Sequence, residues 1–110
     1  MDEITHTPGP WVAALYGAFF TEVRAQDSAT GRRVAATWVQ GQPRSREQLL
    51  RQAQQNEANA RLIAAAPDFL AVCESWVSYM GSPHAATQER EDKLLDAMRA
   101  AIAKAKGLQA

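Results

Sequence analysis

The side chains able to do chemistry are few in this sequence, and their spacing keeps them apart. His6 and His84 lie in loop stretches, neither has a second ligand at helical spacing, and no His-Glu-x-x-His pattern occurs. Cys73 is the single cysteine, which excludes an internal disulfide and a Cys-rich zinc site and fits a reducing compartment. As a nucleophile it would need an activating base. Its position on the apolar side of a helical pattern instead marks it as a small core residue. Glu89, Glu91 and Asp92 are close enough for acid-base work, but they open a helix, where carboxylates complement the helix dipole. Gly9, Gly17 and Gly31 build no strand-to-helix phosphate loop. The expectation is a protein without a catalytic set, metal or cofactor.

Length and composition bound the rest. A chain of 110 residues, 46% hydrophobic and 22% charged, is one folded domain. Much of its apolar content is alanine, so its core is modest and a homodimer would add stability. Twelve basic residues balance twelve acidic ones. The balance is uneven along the chain: residues 24–51 carry six arginines against Asp27 and Glu47, net +4, and residues 68–96 carry six carboxylates against Arg90 and Lys93, net −4. The sequence starts Met1-Asp2-Glu3 with neither a basic leader nor a long apolar run. A cytoplasmic protein without a membrane span is expected.

The elements follow from turn signals and periodicity. Residues 1–10 read as an irregular lead, with Pro8 and Pro10 around Gly9 preventing helix, and residues 11–107 as the domain. β-branched and aromatic residues recur over Trp11–Tyr16, Ala18–Ala25 and Arg32–Val39, predicting three antiparallel strands. In the second, Phe19, Thr21, Val23 and Ala25 share a face, with Phe20, Glu22 and Arg24 opposite. In the third, Val34, Ala36 and Trp38 oppose Arg33 and Thr37. Gly17 and the stretch Asp27–Gly31 read as turns.

Ser45 followed by Gln48 is a capping pattern that starts a helix over about Arg46–Ala65, with Leu49, Leu50, Ala53, Ala60, Ile63 and Ala64 as its stripe and Asn56 and Glu57 interrupting it. Pro67 ends that helix and opens a second over about Pro67–Met80. The second helix has Phe69, Val72, Cys73, Trp76, Val77 and Met80 as its expected buried face. Gly81-Ser82-Pro83 breaks it. Thr87 caps a third helix over about Gln88–Ala105, striped by Leu94, Leu95, Met98, Ala101, Ile102 and Ala105 and stopped by Gly107. The fold class is therefore α+β: a three-stranded antiparallel β-meander followed by three α-helices, the first two packed on the sheet.

Two stretches carry a resemblance. Thr5-His6-Thr7-Pro8-Gly9-Pro10-Trp11, with Gly31-Arg32-Arg33-Val34-Ala35 after it, and then Ala58-Asn59-Ala60-Arg61-Leu62-Ile63-Ala64-Ala65-Ala66-Pro67-Asp68-Phe69-Leu70, resemble small phage and prophage accessory proteins over about residues 5–75. The resemblance implies a phage-encoded protein in a bacterial host. Small phage accessory proteins often bind a host defence protein stoichiometrically, anti-CRISPR proteins among them, so the leading expectation is a non-enzymatic inhibitor of a defence complex such as a CRISPR–Cas effector.

The candidate partner-binding residues are the acidic group Glu89, Glu91, Asp92 and Asp96 on the third helix and Phe20, Arg32 and Arg33 on the sheet. The arginines also motivate a nucleic-acid-binding regulator, a less favoured reading because they are spread over turns and strand ends. A structural or assembly accessory of the phage is the other alternative.

Overall fold

In the computed structural model, which describes residues 6–15, 20–25, 33–38, 41–81 and 87–108, the architecture is α+β as expected. Strands β1 (Trp11–Leu15), β2 (Phe20–Ala25) and β3 (Arg33–Trp38) form one antiparallel sheet in the order β1-β2-β3. Helices α1 (Arg46–Ala64), α2 (Ala66–Met80) and α3 (Gln88–Lys106) follow. The expected strand ends at Tyr16, Ala18, Phe19, Arg32 and Val39 and the turns at Gly17 and Asp27–Gly31 lie outside the described residues, as does His84.

Local chemistry sets the helix boundaries. The Ser45 hydroxyl accepts from the Gln48 N–H at 3.1 Å, and the Gln48 side chain reaches back to accept from the Arg44 N–H at 2.6 Å. Ala65 closes α1 and opens α2, its N–H donating to Arg61 at 3.1 Å while its carbonyl accepts from Phe69 at 3.0 Å. Pro67, which has no N–H to continue the α1 ladder, sits in the first turn of the new helix. Thr87 caps α3 by accepting from the Arg90 N–H at 3.2 Å. Gly107 ends it with φ +72°, a left-handed conformation that glycine adopts without steric cost.

The core is small and built on alanine. Val23, wholly buried at the centre of β2, packs with Ala60 and Ala64 of α1; Trp11, Ala13, Ala35 and Ile63 close around them. Thr21, Val23 and Ala25 are buried together on the face toward α1, matching the predicted alternation. Asn56, expected to interrupt the α1 stripe, is instead part of it: only 4% exposed, with its main-chain carbonyl accepting from the Thr37 hydroxyl at 3.2 Å. Leu50 departs the other way and is exposed. The side chains of Thr21 and Asn56 are buried without a hydrogen-bond partner among the described residues.

Two expectations are corrected here. Only α1 packs on the sheet; α2 turns away at Pro67 and pairs with α3, which also contacts α1. Three strands spaced about 4.8 Å apart offer a face roughly 10 Å wide, the diameter of a single helix, so α1 uses it up. The stripe assigned to bury α2 is therefore largely in solvent. Trp76 is 40%, Met80 63% and Val77 71% exposed, and Cys73 is exposed too. The buried residue of α2 is Tyr79, which the periodicity of the stripe passed over.

Two substitutions check this core. Ala60→Leu forces extra volume between α1 and Val23 and should destabilise the fold by about 1–3 kcal/mol in urea unfolding. Thr21→Val, which removes a buried unpartnered hydroxyl at constant shape, should stabilise it by about 1 kcal/mol in the same assay.

Candidate interaction surface

The two stretches that carried the phage resemblance meet in space. Gly9 approaches Pro67 so closely that a Cβ on Gly9 would lie 2.9 Å from the proline Cβ. Trp11 is anchored from both sides: its indole N–H donates to the Thr7 carbonyl at 3.1 Å, and the His6 ring stands edge-on to it with centroids 6.2 Å apart. His6, Trp11, Pro67 and Leu70 line an apolar cleft of about 250 Å³ at this junction. His6 has its Nδ1 2.9 Å from the adjacent Thr7 carbonyl, and among the described residues no three His, Cys, Asp or Glu side chains gather as a metal site.

On the sheet face away from α1, Glu22 is the organising charge. One carboxylate oxygen accepts from Arg24 Nε at 2.7 Å, and the other is paired with the Arg33 guanidinium. Arg33 reaches it because of a register shift. Val23 opposes Ala35 but Arg24 opposes Arg33, so Val34 is an extra residue and the bulge turns Arg33 onto the Glu22 side. Strict alternation had placed Arg33 with Thr37; the bulge corrects that. Burial pushes the Glu22 carboxyl up, but the hydrogen bonds and positive charges of Arg24 and Arg33 outweigh it, and the net shift is below the ordinary carboxylate range. Phe20, half-buried, lies opposite the exposed Trp38 at the other end of the strand pair. Arg32 lies outside the described residues.

The α2–α3 hairpin carries the acidic candidates and separates them. Asp68 at the start of α2 pairs with Lys104 near the end of α3 at 2.8 Å, which fixes the helices antiparallel. At the other end Tyr79 is held between elements: its ring lies 5.6 Å from Trp76, and the Arg90 guanidinium is 5.4 Å from its centroid. Burial, a hydrogen bond to Glu91 and the Glu91 charge raise the Tyr79 phenol pKa against the opposing Arg90. Glu91 is thus engaged with α2. Glu89, Asp92 and Asp96, spaced three and four apart, form one exposed stripe along α3, with Lys93 paired to Glu89 at 3.3 Å and Gln88 donating to Asp92 at 3.0 Å. Beside it, Trp76, Leu95 and Met98 line a cleft of about 280 Å³ that Asp92 rims.

The family described as Salmonella phage P22 protein Y8K6 matches residues 1–109. The chain belongs to that phage family. The match runs through α3, beyond the stretch over which the sequence resembled phage accessory proteins. No curated protein and no solved structure matches the chain significantly. No helix among the described residues is long and apolar enough to cross a membrane.

Of the predicted contact residues, the structure groups Glu89, Asp92 and Asp96, engages the exposed Glu91 with Tyr79, and commits Arg33 to Glu22. Glu22 and Tyr79 were missed. A carboxylate in the middle of a strand between Arg24 and Arg33 was the signal for the first, and the Val72 to Tyr79 spacing of seven was the signal for the second.

Because the folded Glu22 carboxyl has a lowered pKa, its contribution to stability is full above the unfolded value and is lost as pH falls through the folded one. Glu22→Gln should be less stable than the parent at neutral pH, with the difference shrinking as pH drops below about 4.5. Thermal unfolding of both proteins across pH 3–7 reads this, and a difference independent of pH would refute the charge assignment.

Proposed function

We propose that this phage-family protein is a non-enzymatic inhibitor that binds a host defence complex, such as a CRISPR–Cas effector, and occupies a protein surface. The observation that carries the reading is the exposed acidic stripe Glu89–Asp92–Asp96 along α3. Carboxylates presented in a row steer a basic partner. Nucleic-acid-guided effectors present basic channels of the kind such a stripe fits. The phage family supports the setting. The nucleic-acid-binding alternative has less support, since Arg24 and Arg33 share the Glu22 carboxylate and the three groups keep a net charge of only +1.

The test is phage plating on strains that each carry one active defence system, with and without the expressed protein. Plating should recover in at least one strain, and the Asp92→Lys/Asp96→Lys variant should lose at least tenfold of that recovery while keeping its helical signal. Unchanged restriction in every defended strain would end the inhibitor reading.

A further inference from the structure

We infer that the apolar face of the α2–α3 hairpin is the docking surface for a second copy of this chain, forming a closed two-fold dimer in which two hairpins pack as a four-helix bundle. The inference starts from surface area. The chain exposes 8197 Å², whereas a compact monomer of 12.0 kDa would expose about 6,000 Å². Its radius of gyration is 17.4 Å over a body 59 × 37 × 23 Å, against about 13 Å for a compact chain of this length. The surplus, roughly 2,200 Å² over the whole chain, is of the size that each subunit of an obligate homodimer buries, about 1,000–2,500 Å².

The exposed and half-buried apolar side chains are ordered along the hairpin. Leu70, Cys73, Val77 and Met80 step by three, four and three along α2, and Leu95, Met98 and Ile102 step by three and four along α3. That is the spacing of positions that fill the seam between packed helices. Leu70, Val77, Met80, Leu95 and Ile102 are between 44% and 71% exposed. The cleft between Trp76, Leu95 and Met98 joins the two stripes into one face.

Charge selects the occupant. The first half of α3 holds Glu89, Glu91, Asp92 and Asp96 with Arg90 and Lys93, net −2, and the second half offers Arg99 and Lys106, net +2, its third cation Lys104 being held by Asp68. A two-fold axis across the hairpin sets each acidic half beside the partner's basic half, so the surface complements itself. The parallel arrangement brings like charges together and is disfavoured.

Sedimentation equilibrium of the full chain at micromolar concentration, with thermal unfolding over a hundredfold concentration range, tests this. The expected result is twice the 12.0 kDa chain mass and a Tm that rises with concentration. A 12.0 kDa species with a concentration-independent Tm overturns the proposal, and so does a larger open assembly. Val77→Glu and Met80→Glu each place a carboxylate in the seam at positions 71% and 63% exposed in the single chain, so the monomer fold tolerates them. Each should weaken the dimer at least about a hundredfold with the helical circular dichroism retained. Leu62→Glu, at an equally exposed apolar position on α1, should leave the dimer intact. Dimers that survive both hairpin variants, or dissociate with Leu62→Glu, would place the interface elsewhere and overturn the assignment.

Discussion

The contact of Val23 with Ala60 and Ala64 is the constraint on which the rest of the structure depends. Alanines at that crossing let the α1 backbone come close to β2, and closeness lets one helix cover a three-stranded sheet. The same crossing limits the core, since alanine adds little apolar area. With the sheet face used up and Pro67 turning the chain, α2 and α3 pack on each other, on α1 and, at Pro67, on the N-terminal lead. Their outward faces keep large apolar side chains that a longer sheet would have covered.

A similar economy governs the charges. Glu22 is nearly inaccessible to solvent and is tolerated because each of its oxygens has its own guanidinium, one from the same strand and one brought across by the bulge at Val34. On the hairpin, Asp68 with Lys104 holds one end, and Tyr79 between Trp76, Glu91 and Arg90 holds the other. Both ends are fixed by paired groups, so the apolar and acidic surfaces between them are presented by ordered helices. Surfaces of this kind suit recognition of another protein, and the clefts of the described residues are shallow furrows between elements.

The family match and the local packing illuminate each other. The proline-glycine lead and the alanine-rich stretch ending at Leu70 lie some fifty residues apart in the chain, yet Gly9 is pressed against Pro67 and Trp11 reaches the α1 core. Their sequence character reflects one joint, where lead, sheet and helix bend meet. The match to a phage family over residues 1–109 places α3 in the same unit as that joint.

The sequence by itself determined the element order, the helix caps at Ser45 and Thr87, the stop at Gly107 and the break at Pro67. All of these rest on interactions within a few residues, where side-chain type and backbone geometry suffice. It also set the buried alternation of Thr21, Val23 and Ala25. Tertiary structure decided which apolar stripes were covered, because an amphipathic helix carries no record of how many partners its face will find: the α1 alanines met the sheet, whereas Val77 and Met80 met solvent. It decided the partner of Arg33 as well, since a one-residue bulge reverses the side of the sheet to which a side chain points. Glu91 and Asp92 are neighbours in sequence, but a 100° step around the α3 axis directs one to Tyr79 and leaves the other on the acidic stripe.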